Sequence, residues 1–222
     1  MKVRLVGYTQ PAEEFKDNFK DAKDLVAYCA RVSNPSNQYN TETADKLIRY
    51  LIKNLHWSPL EMASATIEVE TTRDIARQLL RHRSFSFQEF SNRYANPLED
   101  LGFVLREARL QDTKNRQNSL ELDANDEEHR VVVAEWNRRQ QDVIDLVKEN
   151  YKWAINAGIA KEQARAILPE GNIMSRMYVN GTIRSWIHYI QVRTDPATQK
   201  EHRELALEIA KVIAKVFPFD VN

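Results

Sequence analysis

Residues 63–70 read Ala-Ser-Ala-Thr-Ile-Glu-Val-Glu, an alternation of apolar and polar side chains. Because successive side chains of a β-strand point to opposite faces of a sheet, this alternation predicts a strand that is buried on one side. From Thr72 to about Arg81 the residues instead follow a helical spacing. The sequence therefore predicts a strand that is followed at once by a helix, and the rest of the fold extends from this unit.

The flanking sequence adds more helices than strands. Strands are predicted at 3–7 and 174–179. Helices are predicted over four other stretches and over a last one that ends at Pro218. The four stretches are 21–31, 43–55, 128–156 and 160–167. Several helices with few strands favour an α+β fold, with the helices packed on a modest sheet. A chain of 222 residues is long enough to bury one core, so a single domain, 1–222, is expected.

The segment from Arg106 to Glu128 is polar and shows no clear periodicity. Loops of this length in compact domains often form lids or mobile segments. Its basic part, 106–120, could cover an active site or help to hold folate or NADPH. A solvated loop explains the same composition equally well.

The charge balance limits the class of function. Lys and Arg total 32, and Asp and Glu also total 32, so the net charge is zero. A protein that mainly binds the backbone of nucleic acid usually carries a basic excess. No apolar run approaches the roughly 20 residues that span a bilayer. We therefore expect a cytoplasmic protein that binds neither nucleic acid nor membrane.

Metal and disulfide chemistry are not expected. Cys29 is the only cysteine, which excludes an intramolecular disulfide and a zinc site with several cysteines. No two of the five histidines have the i, i+4 spacing of a helical metal pair. His129 and His202 lie among charged residues and are expected to be exposed, whereas Cys29 is expected in the core. Core or interface positions are expected for three tryptophans, Trp136, Trp153 and Trp186.

The stretch 73–93 is a local concentration of positive charge. It contains only two acids, Asp74 and Glu89. Gln78 and Arg81 are three residues apart on the predicted helix, so both can face one ligand. The guanidinium group is a planar fork of donors that matches phosphate oxygens or a uracil-like edge. The basic side chains are Arg73, Arg77, Arg81, His82, Arg83 and Arg93.

Two other interpretations explain this stretch. A solvated basic helix face, followed by an edge strand with inward-facing Phe side chains, would have the same sequence. A nucleic-acid module would use Phe85, Phe87 and Phe90 as stacking platforms, and its binding would depend steeply on salt. Residue chemistry alone leaves these interpretations open.

The run RHRSFSFQEFSNRY from Arg81 to Tyr94 resembles the flavin-dependent thymidylate synthases, the ThyX family, whose signature is RHR-x7-S ending here at Ser91. Three further segments resemble the family in the same order. They are ARVS at 30–33, HWSPLE at 56–61, and RAILP at 165–169 followed by Arg184-Ser185-Trp186 and Arg193. The similarity covers roughly residues 20–215, and the wording RSWIHYIQVRT is most similar to versions from large DNA viruses and phages.

The resemblance implies a ThyX-like fold and a homotetramer in which subunits share the active sites. It implies that dUMP is the substrate and that FAD, NADPH and 5,10-methylene-tetrahydrofolate take part in its methylation to dTMP. The residues implied to bind dUMP are Gln78, Arg81, Glu89, Phe90, Ser91, Asn92, Arg93, Arg165 and Arg193. Those implied to bind FAD are Ser58, Arg81, His82, Arg83, Glu89, Thr182, Arg184 and His188.

Arg193 is the implied catalytic residue. It would stabilise negative charge on the pyrimidine, which makes C5 of dUMP more nucleophilic; an arginine does not act as a general base at neutral pH. The chain departs from common family patterns at three positions, with Gln88 before the acidic residue of the signature, Asn92 before its last arginine, and His188 where other members have Asn.

Overall fold

The computed structural model describes residues 1–219, in which helices outnumber strands. Eight α-helices lie within this range: α1 (Ala22–Ala30), α2 (Ala44–Lys53), α3 (Arg73–Leu79), α4 (Pro97–Asp100), α5 (Glu127–Asn156), α6 (Lys161–Ala164), α7 (Ile183–Arg193) and α8 (Lys200–Ile213). The same range holds six strands: β1 (Lys2–Tyr8), β2 (Ser64–Thr72), β3 (Ser86–Glu89), β4 (Arg109–Gln111), β5 (Ser119–Glu121) and β6 (Met174–Thr182). Short 3-10 turns lie at Glu13–Phe15, Pro35–Asn37, Ser58–Glu61 and Arg165–Ile167.

Four of the strands form one antiparallel sheet in the order β1–β2–β6–β3. At its centre β2 pairs with β6 from Ser64 opposite Thr182 to Thr72 opposite Met174. Each central strand leads directly into a helix, β2 into α3 and β6 into α7. The predicted α+β fold with a modest sheet is confirmed, as is the strand followed by a helix at 63–81.

The alternation that predicted β2 also sets its burial. Ala65, Ile67 and Val69 are fully buried beneath the helices. Trp186 of α7 lies against them, and its indole Nε1 donates to the carbonyl of Ala65 across 3.1 Å. Burial of a large aromatic ring contributes most to the stability of the fold when its polar N–H also has a hydrogen-bond partner, and Trp186 meets both conditions. One helix of the core is thereby fixed on the central strand.

The opposite face of the sheet is polar. Glu68 of β2 is buried on that face, where Arg4 of β1 and Tyr178 of β6 both donate to its carboxylate, Tyr178 across 3.0 Å. Burial by itself raises the pKa of Glu68, but the hydrogen bonds from Arg4 and Tyr178 outweigh it and hold the pKa below its ordinary value. Charge pairing therefore compensates the burial of an acid between two strands.

The segment 106–128, whose sequence shows no clear periodicity, contains the hairpin β4–β5. It is anchored to the rest of the molecule, since Arg106 Nη1 donates to Thr72 Oγ1 across 2.7 Å and Trp136 Nε1 donates to the carbonyl of Arg106 across 2.9 Å. Arg109 pairs with Glu201 of α8. Each strand has one leucine between two polar residues, and three residues are too few to show a period of two, so the sequence pattern does not reveal these strands.

Several burial predictions were wrong. His202 has no exposed surface, because it shares one side of α8 with Leu205, Ala206 and Ile209 while its charged neighbours lie on the other sides. Cys29 is half-buried, not in the core, and burial raises the pKa of its thiol. Trp186 is buried as expected. Trp136 and Trp153 on α5 are 42% and 64% exposed in the single chain, so they lie outside its core, and their position at an interface stays a prediction. Val132 and Val143, which mark the predicted helix of α5, are also exposed.

Within residues 1–219 no helix combines the length and the apolar character that crossing a bilayer requires. The same residues contain no group of three or more His, Cys, Asp or Glu side chains that could hold a metal ion.

Gly181 of β6 allows Phe85 to pack against the sheet. A Cβ atom at Gly181 would lie 2.2 Å from Cδ1 of the Phe85 ring. That ring is confined by Trp186, with ring centroids 4.3 Å apart, and by Tyr189 at 5.9 Å. We therefore expect Gly181→Ala to lower the free energy of unfolding by about 1–3 kcal/mol, measured by urea denaturation, because overpacking of a dense core forces side chains out of place.

Gly7→Ala is the matched control. It also replaces a strand glycine, but no atom lies within 4 Å of the added Cβ, so a change within about 0.5 kcal/mol is expected. The double variant Gly181→Ala/Phe85→Leu should lose less stability than the sum of its two single variants. Strict additivity would show that contact with Phe85 is not the cause.

Candidate active site

The turn after α3 presents the motif Arg81-His82-Arg83. The helix ends at Leu79, and the backbone N–H groups of Arg81 and His82 donate to the carbonyls of Gln78 and Leu79 across 3.3 and 3.1 Å. Arg81 and Arg83 are exposed, and neither side chain has a hydrogen bond or an ion pair within residues 1–219. Two cations without a carboxylate partner in one turn can both bind an anionic ligand.

Arg193, the last residue of α7, contacts the middle residue of this motif. Its Nε donates to Nε2 of His82 across 2.9 Å. Because guanidinium nitrogens only donate, Nε2 of His82 accepts and a neutral ring carries its proton on Nδ1. Burial, and then the charge of Arg193, lower the pKa of His82 to about 4. The remaining nitrogens of the Arg193 guanidinium have no partner within residues 1–219.

A second group of arginines lines a cavity of about 510 Å³. Arg73 and Arg77 enter it from one side of α3, and Arg165 enters from the 3-10 turn Arg165–Ile167. Asn92 forms part of the wall and is buried. Two carboxylates, Glu162 and Glu170, also line the cavity.

The carboxylates neutralise the arginines only in part. Glu170 Oε1 lies 3.4 Å from Nε of Arg73 and 3.6 Å from Nε of Arg77. Glu89, at the end of β3, lies 3.7 Å from Arg73 and 3.4 Å from Arg77, and Ser175 Oγ donates to it across 2.9 Å. The four arginine–carboxylate contacts are longer than ideal charge-assisted hydrogen bonds, so an oxyanion can displace them.

Several residues predicted to bind dUMP lie at or beside this cavity. Asn92 and Arg165 line it. Glu89 contacts the arginines in its wall, and Arg93 Nη2 lies 3.3 Å from Glu162 Oε2. Phe90 and Ser91 connect these side chains along the backbone, where the N–H of Phe90 donates to the carbonyl of Arg176.

The other predicted dUMP residues, Gln78, Arg81 and Arg193, lie around the Arg81–Arg83 turn and do not line the cavity. Four charged residues that line the cavity are absent from the residues predicted to bind dUMP or FAD, although the first two belong to the basic stretch 73–93: Arg73, Arg77, Glu162 and Glu170. The i, i+4 spacing of Arg73 and Arg77 puts both on one side of α3 and is the signal that identifies them in the sequence.

The residues predicted to bind FAD lie in the turn after α3, at Glu89 of β3 and around the start of α7. The first group on α7, Arg184 and His188, is spaced by four residues on one side of the helix. Tyr189 and Arg193, which are not in the predicted FAD set, are four residues apart on another side, rotated by about 140°. Arg184 Nη1 donates to Glu61 Oε1 across 2.5 Å, and the ring of His188 lies edge-on to Trp57 with centroids 4.2 Å apart. Burial, and then the charge of Arg184, lower the pKa of His188.

Ser58 and Thr182 begin the two elements that carry this first group. Ser58 begins the 3-10 turn Ser58–Glu61, which packs against α7. Thr182 is the N-cap of α7 and accepts from the backbone N–H of Ser185 across 3.2 Å. The side chain of Thr182 therefore has a structural role that explains its presence without a ligand. Arg81, Arg83 and Arg184 fit a flavin dinucleotide, because its pyrophosphate requires cations of this kind.

Comparison with known proteins agrees with this arrangement. The family model described as "Thymidylate synthase complementing protein" (Thy1) matches residues 14–219. A protein of Synechocystis sp. named "Flavin-dependent thymidylate synthase" is 48% identical over 98% of this chain and 96% of its own length. The chain belongs to the family of flavin-dependent thymidylate synthases. A protein of Paramecium bursaria Chlorella virus 1 named "Probable flavin-dependent thymidylate synthase" is 45% identical over the same shares, which confirms the resemblance to viral versions.

Two solved structures of a UMP/dUMP methylase confirm the fold. The UMP/dUMP methylase PolB from Streptomyces cacaoi, bound with 5-Br dUMP, superimposes with a TM-score of 0.76 at 25% identity. The alignment covers 97% of this chain and 90% of that chain. The same methylase bound with 5-Br UMP gives a TM-score of 0.74 at 28% identity, covering 97% and 89%.

The buried histidine His202 makes stability depend on pH. Burial, and then the charges of Arg193 and His82, lower the pKa of His202 to about 3, whereas an unfolded chain protonates a histidine near pH 6.5. As the pH falls below 6.5 the unfolded state takes up a proton that the folded state does not, so the free energy of unfolding falls by about 1.4 kcal/mol per pH unit. Between pH 7 and 5 we expect a loss of about 2 kcal/mol from this residue.

Urea denaturation of the wild type and of His202→Asn at both pH values checks this expectation. Asparagine does not titrate, so the variant should lose about 2 kcal/mol less than the wild type between pH 7 and 5. His82 contributes in the same direction in both proteins, since its pKa is also lowered. An equal loss in the two proteins would contradict a neutral, buried His202.

Proposed function

We propose that this chain catalyses the reductive methylation of dUMP to dTMP, with 5,10-methylene-tetrahydrofolate as carbon donor and NADPH as reductant of bound FAD. The observation that carries the proposal is the geometry of Arg193. Its Nε is held by a neutral His82 while its other guanidinium nitrogens have no partner within residues 1–219. Those nitrogens can bind a pyrimidine.

In the proposed reaction Arg193 hydrogen-bonds the pyrimidine ring of dUMP. It stabilises the negative charge that develops at N3 and on the neighbouring carbonyl oxygen, and C5 becomes the nucleophile. A fixed cation aimed at developing charge is the usual means of such stabilisation, and a neutral neighbour does not weaken it. Bound FAD, once reduced by NADPH, would supply the hydride that completes the methyl group.

The nucleotide phosphate is proposed to occupy the arginine-lined cavity. Arg165 and Arg93 are the phosphate ligands, each now paired or adjacent to Glu162. A dianionic phosphate attracts these guanidinium groups more strongly than one carboxylate does, and Arg can bind it through two parallel hydrogen bonds. Glu89 and the backbone from Phe90 to Asn92 border this site, with Ser91 beside them; Gln78 and Arg81 bind the nucleoside end.

FAD is proposed to contact residues of the turn after α3 and residues around the start of α7. His82, Arg83 and Arg81 approach it from the turn after α3. The other proposed contacts are Glu89, Ser58, Thr182, Arg184 and His188. Because His82 contacts Arg193 at the end of α7, whereas Thr182 and Arg184 lie at its start, one flavin reaches both groups most simply when two subunits share it.

We further propose a cytoplasmic homotetramer in which residues 1–222 form one ThyX-like catalytic domain. The exposed apolar side chains of α5 support assembly, since Val131, Leu146 and Trp153 are each at least 58% exposed in the single chain. Large apolar surfaces of this kind usually mark a protein interface. The extent of the family match, 14–219, supports one catalytic unit.

The direct test is dTMP formation by the purified protein given FAD, NADPH, methylene-tetrahydrofolate and dUMP. We expect product that disappears when FAD is omitted. UMP in place of dUMP determines whether the nucleotide specificity extends to the ribonucleotide. A folded, FAD-loaded protein that forms no product would refute the proposed reaction and favour a nucleotide-binding flavoprotein.

Arg193→Ala should lower kcat at least about 100-fold, because it removes the donor for charge that forms only in the transition state. FAD content, measured from flavin absorbance after purification, should stay near that of the wild type.

Arg93→Ala should instead raise the Kd for dUMP, measured by calorimetry, because it removes a proposed phosphate ligand. Lys211→Ala, which removes an exposed cation of α8, is the control and should change neither quantity. Wild-type turnover in Arg193→Ala would refute the assignment.

A further inference from the structure

A chain of hydrogen bonds joins the core to the candidate active site through His202. The hydroxyl of buried Tyr189 lies 3.2 Å from His202 Nε2, and His202 Nδ1 lies 3.0 Å from Oε1 of Gln78. Gln78 Nε2 donates to Gln199 Oε1 across 2.7 Å, and Gln199 Nε2 donates to Glu201 Oε2 across 3.0 Å. Five side chains from α3, α7 and the start of α8 therefore form one connected series.

The direction of every bond in this series follows from its last member. Glu201 is a carboxylate and can only accept, so the amide nitrogen of Gln199 must face it. The carbonyl oxygen of Gln199 then faces Gln78, which must present its own amide nitrogen there. The Gln78 carbonyl consequently points to His202.

The same reasoning determines which ring nitrogen of His202 carries the proton. An amide carbonyl only accepts, so Nδ1 of His202 must carry the proton that it donates to Gln78. A neutral ring then has a bare Nε2, and the hydroxyl of Tyr189 must donate to it. Each bond has one allowed direction, from the charged residue Glu201 back to the buried tyrosine.

Glu201 is a reliable end point because it is paired with two arginines. Burial by itself raises the pKa of Glu201, but the hydrogen bond from Arg109 and the charge of Arg106 outweigh it, so the pKa lies below its ordinary value. Arg106 Nη2 lies 3.3 Å from Glu201 Oε2, and Arg109 contacts Oε1. The carboxylate therefore stays an acceptor at neutral pH.

We propose that His202 is a positioning residue, held by Tyr189, that fixes the side-chain amide of Gln78 with its carbonyl toward the protein and one N–H free for an acceptor oxygen of the nucleotide. The proposal rests on the proposed function, which makes Gln78 a dUMP ligand. An amide that could rotate would offer a donor in one orientation and an acceptor in the other. The series removes the second orientation before the nucleotide binds.

Two features suit His202 to this role. It has no exposed surface and Tyr189 has almost none, so water cannot substitute for either partner. Its lowered pKa of about 3 keeps the ring neutral at physiological pH. The groups that face it from neighbouring elements, His82 and Arg193 across the ring and Tyr189 beside it, are neutral or cationic, and none can stabilise a second proton on it.

Three substitutions of His202 separate positioning from packing. His202→Asn keeps a donor near the position of Nδ1, where it can still reach Gln78. His202→Gln keeps a polar group near Nε2 and reaches only Tyr189. His202→Leu fills the space without any hydrogen bond. Ile209→Leu, on the same buried side of α8, is the control for altered helix packing.

The Kd for dUMP is measured by calorimetry on the FAD-loaded proteins, with flavin content and Tm recorded for each. We expect about a five- to tenfold higher Kd for His202→Leu and His202→Gln, the loss of about one net hydrogen bond. His202→Asn and Ile209→Leu should stay within about twofold of the wild type. Equal weakening in all three His202 variants would indicate a packing role and overturn the proposal, as would no weakening in His202→Leu.

The tautomer of His202 provides a readout that does not depend on the nucleotide. In protein labelled with ¹⁵N-histidine, the His202 signals, identified by their loss in His202→Asn, should show the proton on Nδ1 at pH 7. A proton on Nε2 would overturn the proposal. If wild-type protein fails to bind dUMP, the proposed function is refuted, and the tautomer alone then decides whether the orientation of Gln78 is fixed as described.

Discussion

The antiparallel pairing of β2 with β6 is the interaction on which the site depends. Because Thr72 lies opposite Met174 and Ser64 opposite Thr182, the helices that follow the two strands begin at opposite ends of the sheet. Both helices then return across the same apolar face, where Ile75 and Ala76 of α3 share one core with Trp186 and Ile190 of α7. Their C-terminal ends therefore approach each other, and His82 meets Arg193 there. A slip of one residue in this pairing would turn the apolar faces outward and separate the two ends.

The environment of this meeting point separates neutral from charged groups. Burial lowers the pKa values of His82 and His202 to about 4 and about 3. The arginines around them are less buried, and Arg81 and Arg83 have no carboxylate partner within residues 1–219. The exposed arginines therefore present positive charge to a ligand, while the buried histidines behind them stay neutral. Such a division strengthens the attraction for a phosphate or an oxyanion, because few internal anions compete for the same cations.

The sequence predicted the parts of the fold that repeat a pattern over many residues. β2 alternates over eight residues and α8 carries a long apolar stripe, so both were identified. The strands β4 and β5 are three residues long, each with a single leucine between two polar residues, and no period shows at that length. His202 was predicted to be exposed from its charged neighbours, although the positions 202, 205, 206 and 209 form one apolar side of α8. For the site, the RHR motif located the turn, but the contact of His82 with Arg193 joins residues 111 positions apart. The sequence around each of these residues does not indicate that they are in contact.

The anchoring of the segment after Leu105 follows from the same network that orients Gln78. Arg106 and Arg109 both bind Glu201, the acceptor that ends the hydrogen-bond series. Lys200, the preceding residue, binds Glu107 across 2.9 Å and Glu121 across 2.6 Å, so both sides of the hairpin β4–β5 are held at the start of α8. An exposed ion pair contributes little alone, but these pairs share partners and constrain one another. Displacement of the hairpin would take Arg109 away from Glu201. The pKa of Glu201 would then rise, because its hydrogen bond from Arg109 opposes the effect of burial, and the requirement that Gln199 and Gln78 keep their orientation would weaken. The hairpin thus belongs to the positioning of the site, although none of its side chains lines the arginine cavity.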